Sequence, residues 1–263
     1  MPNAVRTTVR GIGQILITLG VVVLLFIGYE LWFTDVLNAR TQHRLTTKLE
    51  KQWSEGDDPL VRPSGSPSGP ASPGPGGQPL PGESVRQVPL GTGIAIIRIP
   101  RFGLDYARTI VQGTGEAQLN DGPGHYVDSP LPGAVGNVAI AGHRVSKGSP
   151  FLDLDKLLPG DAIVIETKDF WYTYRVLGDA ATGSFTANTP DGIPGREIVS
   201  STDSEVLDPV PDHPGQRPTM RMITLTTCHP KFSASHRMIV HGLLAGVPYP
   251  RSAGDPPALR PAG

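Results

Sequence analysis

The 263-residue sequence contains one cysteine, Cys228, at the end of a β-branched run in ITLTTCHPKFSASHR. A lone thiol cannot form an internal disulfide. The next β-rich run begins at Arg237, after the eight-residue connection HPKFSASH. If the two runs pair as antiparallel strands about 4.8 Å apart, Cys228 and Arg237 are neighbours. A guanidinium beside a thiol favours the thiolate and can donate hydrogen bonds to an oxyanion at an attacked carbonyl, so the pair predicts a cysteine nucleophile.

A nucleophile of this kind needs a group that moves a proton, and the chain has seven histidines. His143 directly follows the apolar run NVAIAG and opens a Gly/Ser/Pro loop, so its imidazole can project from a rigid edge into a cleft. We therefore favour His143. His125 and His241 are weaker candidates, and His229 adjoins the cysteine but alternates to the opposite side of the strand. Periodicity alone leaves the choice open.

Each of these residues also has an ordinary structural explanation. A lone cysteine is most often a small buried hydrophobe, an arginine at the start of a strand is usually solvated, and a histidine after glycine is usually a loop residue. Only the combination of an unpaired thiol, a nearby arginine and an extracytoplasmic location favours catalysis.

Charge and composition exclude several classes of function. The formal net charge is -1, which argues against a nucleic-acid-binding protein. No cluster of Asp and Glu with calcium-loop spacing lies near the motifs, and a single cysteine excludes a multi-thiolate zinc site. We therefore expect no cofactor and no metal.

Short β-rich runs separated by Gly, Pro, Asn and Asp dominate residues 92–249, and a C-terminal tail follows at 250–263. They predict an all-β domain, either a sandwich or a closed barrel, with one brief helix at FLDLDKLL. The predicted strands are Gly93–Ile99, Asn137–Gly142, Asp161–Thr167, Phe170–Gly178, Glu197–Ser201, Thr219–Thr227 and Arg237–Ala245.

The N-terminal region predicts a membrane anchor. Gly11–Tyr29 is an uncharged run of about 28 Å as a helix, close to the thickness of a bilayer core, and the predicted transmembrane helix covers 11–33. Arg6 and Arg10 favour a cytoplasmic N-terminus at 1–10 and an extracytoplasmic domain. A cleaved signal peptide is the alternative, but the run is long and no small-residue cleavage site follows it.

Two segments join the anchor to the β domain. Residues 34–55 are rich in helix formers and predict a short juxtamembrane helix. Residues 56–91 form a Pro/Gly/Ser-rich linker that includes RPSGSPSGPASPGPGGQPLPG. We expect this linker to act as a solvated spacer that holds the domain away from the bilayer.

Three of these motifs together resemble the sortases, membrane-anchored cysteine transpeptidases of Gram-positive bacteria. The motifs are TLTTC, which ends at Cys228, the Arg237 that follows it, and AGHR at Ala141–Arg144. The anchor, the stalk, GPGHY at Gly122–Tyr126 and LTTCHPKFSASHR are most similar to the class E, housekeeping-type branch of high-GC organisms. The resemblance covers about residues 92–249.

The resemblance implies an eight-stranded closed β-barrel and three catalytic roles. Cys228 would attack the Thr carbonyl of a Leu-Ala-x-Thr-Gly-type sorting signal, Arg237 would stabilise the oxyanion, and His143 would protonate the departing Gly amine. Tyr126 would accept a hydrogen bond from the N–H of the signal's Ala. The other expected substrate-binding residues are Thr226, Thr227 and His125.

The implied partners are secreted proteins with C-terminal sorting signals, a peptidoglycan precursor amine as acceptor, and the membrane itself. Because no second hydrophobic span follows the domain, we expect wall anchoring rather than pilus polymerisation. The alternatives are a pilus-polymerising sortase, an L,D-transpeptidase with its own Cys and His, and a non-catalytic β domain displayed on a stalk.

Overall fold

The computed structural model of this chain describes residues 2–29, 34–60 and 88–260. The helices in these ranges are α1 (Pro2–Gly28), α2 (Thr34–Ser54) and α3 (Glu116–Asp121). The strands are β1 (Gly93–Arg98), β2 (Ala107–Gln112), β3 (Gly124–His125), β4 (Gly136–Ala141), β5 (Ala162–Glu166), β6 (Phe170–Val176), β7 (Arg196–Ser200), β8 (Arg221–His229), β9 (His236–Leu244) and β10 (Tyr249–Pro250).

Eight of the strands close into a barrel. The sheet order is β10-β6-β5-β1-β2-β3-β4-β8-β9-β7, and a further pairing between β6 and β9 joins the two sides. The ring therefore runs β6-β5-β1-β2-β3-β4-β8-β9, while β7 pairs with β9 and β10 pairs with β6 outside it. The prediction of a closed eight-stranded barrel is confirmed. Closure leaves each strand of the ring paired on both sides.

The barrel interior is filled by side chains, as expected for a ring of this size. Two large aromatic residues, Phe151 and Tyr174, are fully buried among the aliphatic residues. The Tyr174 hydroxyl accepts a hydrogen bond from the backbone N–H of Gly133 at 2.7 Å, so its polar end is satisfied. The aliphatic residues of this core include Ile97, Ile99, Ile140, Ile163, Ile165, Leu225 and Val240.

All seven predicted strands are present, but several elements differ from the sequence-based prediction. The brief helix predicted at FLDLDKLL is a single 3-10 turn at Leu154–Lys156, and turns precede it. The segment is short, and Pro159 follows it directly, so little room remains to propagate an α-helix. The strands β2, β3 and β10 and the helix α3 were not predicted. Two of these strands, β3 and β10, have only two residues each, too few to show an alternating pattern.

Helix α2 packs against the barrel and is part of the folded domain. Leu49 and Trp53 lie against Ile96 of β1. Just beyond the helix, Leu60 joins the main barrel core, and Val88 packs against the same core. The two described ends of the 56–91 linker are therefore seated on the barrel. The Pro/Gly-rich tract itself lies outside the described residues.

Helix α1 is long and apolar enough to cross a membrane. The segment long and apolar enough to span a bilayer is Arg6–Phe26. Its mean hydropathy is 2.1, and none of it is buried against the rest of the protein. An exposed apolar helix of 21 residues suggests a membrane anchor.

Candidate active site

Strand β8 lies between β4 and β9, and this arrangement builds the site. On one side β8 pairs antiparallel with β9, in a register that places Cys228 directly opposite Arg237. The neighbour relation predicted from the short connection between the strands is therefore present. Both side chains are partly buried, and Cys228 is a free thiol.

Alternation along β8 decides which face carries the thiol. Ile223 and Leu225 belong to the barrel core, so Thr224, Thr226 and Cys228 face outward. The thiol thus lies on the outer face of the barrel wall, at the carboxyl end of its strand. A peptide can reach a sulfur in this position, whereas it could not reach one inside the packed core.

On its other side β8 pairs in parallel with β4, and this pairing locates His143. The last register pair is Ala141 with Thr226, and the Gly142 N–H donates to the Thr226 carbonyl at 3.0 Å. His143 and Cys228 each lie two residues beyond this last pair, so continuation of the same register would place His143 opposite Cys228. Parallel strands end at the same edge of a sheet, so Cys228 on β8, Arg237 on β9 and the segment that follows β4 and carries His143 all lie at one edge.

A side-chain contact links the same two segments beyond the ladder. Arg144, the residue after His143, places Nη1 2.8 Å from Nδ1 of His229, the residue after Cys228. His229 alternates away from the thiol, as the sequence predicted.

The environment of His143 keeps its imidazole neutral near pH 7. Burial lowers its pKa below the usual value, the charge of Lys147 lowers it further, and Glu116 partly opposes both. Nε2 is buried and has no hydrogen-bond partner among the described residues. A neutral ring with an unpartnered nitrogen can accept a proton and later return it.

The Arg237 side chain is oriented by its own loop. Nη1 donates to the carbonyls of Ala234 at 3.0 Å and His236 at 3.1 Å. This leaves Nε and Nη2 without an acceptor among the described residues. A guanidinium held through one nitrogen can direct its remaining N–H groups at a developing oxyanion.

Comparison with known proteins identifies this arrangement. The family model described as the sortase domain matches residues 97–245, which contain all three residues of the edge. The chain belongs to the sortase family.

Two curated sortases of Streptomyces coelicolor are similar to it. Sortase SrtE1 is 34% identical over 98% of this chain, and this chain spans 63% of that protein's length. Sortase SrtE2 is 30% identical over 89% of this chain and 80% of that protein. Both names support a class E-like sortase.

Solved sortase structures share the fold. The SrtF sortase from Corynebacterium diphtheriae is 40% identical with a TM-score of 0.58, covering 66% of this chain and 95% of that one. Sortase E from Streptomyces avermitilis is 36% identical with a TM-score of 0.54, covering 65% of this chain and 99% of that one.

Two of the expected substrate-binding residues of this sortase are instead built into its wall. His125 is 1% exposed, and its ring nitrogens contact Gln112 Oε1 at 3.2 Å and the Pro130 carbonyl at 3.1 Å. Burial lowers the pKa of His125 to about 4. Thr227 is 2% exposed and donates to the Gly142 carbonyl at 2.7 Å. Both side chains are almost fully buried and already have hydrogen-bond partners in the wall.

Tyr126 and Thr226 lie where contact with a substrate is feasible. The Tyr126 hydroxyl is 3.3 Å from Thr226 Oγ1, and Thr226 shares the outer face with Cys228 two residues away. Tyr126 is partly buried, and Thr226 is 4% exposed. The geometry therefore leaves Tyr126 as the more accessible of the two.

His241, the other weak candidate for proton transfer, is structural. It is fully buried, with Nδ1 2.8 Å from Thr224 Oγ1 and Nε2 3.2 Å from Glu197 Oε1. Glu197, Asp212 and His241 place potential ligand atoms within 4.8 Å of one another. His241 lies four residues along β9 from Arg237, about 13 Å at strand rise, so this group is separate from the edge that carries the thiol.

Sequence reasoning did not predict the role of Arg144 in the site. The guanidinium is 3% exposed and contacts His229, the Cys228 carbonyl and Asp155. The only sequence signal was its position in AGHR, directly after His143. The contact could have been foreseen only with knowledge that β4 and β8 pair in parallel.

Proposed function

We propose that this chain is a membrane-anchored cysteine transpeptidase that cleaves a Leu-Ala-x-Thr-Gly-type signal between Thr and Gly. It then transfers the new Thr carboxyl end of a secreted protein to an amine of a cell-wall precursor. Cys228, His143 and Arg237 carry the chemistry, and Tyr126 and Thr226 contact the signal.

The reaction proceeds in two balanced half-reactions. His143 takes the proton of the Cys228 thiol, the sulfur attacks the Thr carbonyl, and the oxyanion of the tetrahedral intermediate accepts hydrogen bonds from Arg237. As the C–N bond breaks, His143 donates a proton to the departing Gly amine, which leaves a thioester. An acceptor amine then attacks the thioester while His143 takes its proton, and the thiolate leaves as the new amide forms.

The observation that carries this proposal is the meeting of three strands at one edge. The partners of β8 supply a base on one side of the thiol and a fork of N–H donors on the other. A thioester keeps the acyl group reactive toward an amine, so a thiol suits group transfer better than a hydroxyl would.

The proposed signal follows from the resemblance to class E sortases and from the position of Tyr126 beside Thr226. The sortase E1 structure from Streptomyces coelicolor, 36% identical to this chain, holds a tripeptide in its active site. In the present chain the Tyr126 hydroxyl lies beside β8 and can accept the N–H of an Ala at the second signal position. Proline lacks that N–H.

The decisive experiment is mass spectrometry of the protein after incubation with a Leu-Ala-x-Thr-Gly peptide and an amine. We expect a thioester adduct on Cys228, followed by an amide product in which the amine replaces Gly. Cys228→Ala should retain the fold and form neither species. Transfer by the alanine variant near the wild-type rate would remove Cys228 as nucleophile and the proposal with it.

The signal preference is tested with paired peptides that carry Ala or Pro at the second position. An unpaired buried acceptor costs about 1–3 kcal/mol, so we expect an Ala preference of roughly 5-fold to 150-fold in kcat/KM. Tyr126→Phe should remove most of this preference. Equal use of both peptides by the wild type would contradict the class of signal, and an unchanged preference in the Phe variant would contradict only the role of Tyr126.

A further inference from the structure

Past Ala141 the chain that carries His143 has little regular support. The β4–β8 ladder ends at Ala141, and Gly142 makes the last backbone hydrogen bonds between the two segments. A loop with four consecutive left-handed residues follows: Ser146, Lys147, Gly148 and Ser149. The Phe151 N–H donates to the His143 carbonyl at 3.0 Å, which holds this loop to itself but does not join it to β8. A contact other than strand pairing is needed to hold the imidazole beside the thiol.

The buried guanidinium of Arg144 joins the segment that carries His143 to β8. Nη1 lies 2.8 Å from His229 Nδ1 and 3.5 Å from the Cys228 carbonyl, so it reaches the chain of the nucleophile at two consecutive residues. Nη2 pairs with Asp155 at 3.3 Å, which anchors the side chain from the opposite direction. The contacts join segments 85 positions apart in the chain.

The state of His229 suits this contact. Burial and the charge of Arg144 both lower the pKa of His229, so the ring is neutral and Nδ1 accepts a hydrogen bond from the guanidinium. A fork of donors can bridge an imidazole, a carbonyl and a carboxylate together, which a single ammonium group cannot do in the same geometry.

We propose that Arg144 is a positioning residue that clamps the β4 extension to β8 and so holds His143 in register with Cys228. Arg144 touches neither the substrate nor the reacting atoms, so it contributes to catalysis only by positioning His143. The inference rests on the proposed function, because it takes His143 to be the proton-transfer group.

The central test is a double-mutant cycle between Arg144→Gln and His143→Ala in the full chain. A misplacement of about 1 Å costs on the order of 10²-fold, so we expect Arg144→Gln to lower kcat by about that factor with KM for the signal peptide nearly unchanged. In the His143→Ala background, Arg144→Gln should cause almost no further loss. A merely structural role would lower both backgrounds by the same factor, and that result would overturn the inference.

Two more variants protect the test against simple unfolding. His229→Ala removes the clamp's partner without leaving a new charge unpaired, since Asp155 still holds Arg144, and we expect a smaller loss in kcat. Arg98→Gln is the matched control, because Arg98 pairs with Glu166 on the far side of the barrel. We expect it to keep wild-type turnover. A large loss in the control, or none in His229→Ala, would contradict the clamp.

Alkylation of Cys228 by iodoacetamide gives a readout that needs no sorting signal. If the clamp holds His143 beside the thiol, Arg144→Gln and His143→Ala should slow alkylation by the same factor, and the double variant should be no slower. This pattern in a protein that transfers no peptide would overturn the proposed function and leave the clamp intact. If the two substitutions slow alkylation additively in a protein that does transfer peptide, the clamp is overturned and the proposed function stands.

Discussion

The Arg237 guanidinium is fixed through one nitrogen and keeps other N–H groups that can donate to a substrate oxygen. Its Nη1 donates to two carbonyls of its own loop, so rotation of the guanidinium plane is restricted, while Nε and Nη2 have no acceptor among the described residues. Held donors need no reorganisation as negative charge develops on a substrate oxygen, and this is the physical basis of oxyanion stabilisation.

This geometry predicts that Arg237→Lys fails although it keeps the charge. An ammonium cannot cap the loop carbonyls and also donate to an oxyanion as a planar fork does. Loss of one oxyanion donor costs on the order of 10²–10³ in turnover, so we expect kcat to fall by at least that order. Retention of more than about a tenth of wild-type kcat in a steady-state transfer assay would show that only the charge matters.

Two charges near His143 offer a matched pair of variants. Lys147 lowers the pKa of His143 and Glu116 raises it. Lys147→Gln should therefore move the pKa up and increase the imidazolium fraction at a given pH, while Glu116→Gln should move it down. Both shifts should shrink in high salt, because exposed charges are screened.

NMR titration of the His143 ring measures these shifts directly. Shifts of the two variants in the same direction would show that the groups act on His143 through structure rather than through charge.

At the scale of elements, α2 packs on the outside of the barrel against β1 and β2. The Gln42 side chain donates to the carbonyls of Thr109 at 3.3 Å and Asp121 at 2.6 Å, and accepts the Thr109 N–H at 2.8 Å. One glutamine thus replaces the strand partner that the backbone of β2 lacks there, and Leu49 and Trp53 bury apolar surface beside it.

We therefore predict that a soluble fragment from residue 34 is markedly more stable than one from residue 91. Burial of side chains as large as Leu or Trp contributes about 1.5–3 kcal/mol each, so loss of the helix should lower the free energy of unfolding by several kcal/mol. Chemical denaturation of the two fragments measures the difference. Equal stabilities would show that α2 docks without contributing to the fold.

Within the longer fragment, Gln42→Ala isolates the polar part of this contact. It leaves buried groups of Thr109 unpaired, so we expect a cost of about 1–3 kcal/mol in unfolding free energy. His43→Ala, on the exposed side of the same helix, is the control and should change stability little. A similar loss in both variants would point to helix propensity instead of hydrogen bonding.

At the scale of the whole molecule, the order of elements places a docked domain directly after an apolar helix. The described range that contains α1 ends at residue 29, and residues 30–33 connect it to α2, which packs on the barrel. A short connection of this kind limits how far the barrel can lie from the end of α1, whatever the linker at 61–87 does.

We expect α1 to retain the full chain in the membrane fraction. An arginine near the centre of a spanning helix costs about 2.5–3.5 kcal/mol, so the double change Leu16→Arg and Leu19→Arg should release a large part of the protein on alkaline extraction. Thr8→Arg, near the helix end, should have little effect. Wild-type protein in the soluble fraction would contradict the anchor.

The sequence alone determined the features that depend on short-range pattern. Alternating β-branched runs indicated the strands, a long uncharged run indicated α1, and the eight-residue connection brought Cys228 and Arg237 together as a hairpin. Each of these follows from spacing within a few tens of residues, where the backbone geometry is regular enough to extrapolate.

Tertiary structure decided the features that depend on pairings between distant segments. Parallel pairing of β4 with β8 carried the segment of His143 to the edge of Cys228 and brought Arg144 to His229. The pairings of β3 with β4 and of β8 with β9 packed His125 and His241 into the wall. Tertiary structure also placed α2 on β1 and β2. Local periodicity states which residues share a face of one strand, but a parallel neighbour is reached through a long crossover, and no local pattern specifies which strand that will be.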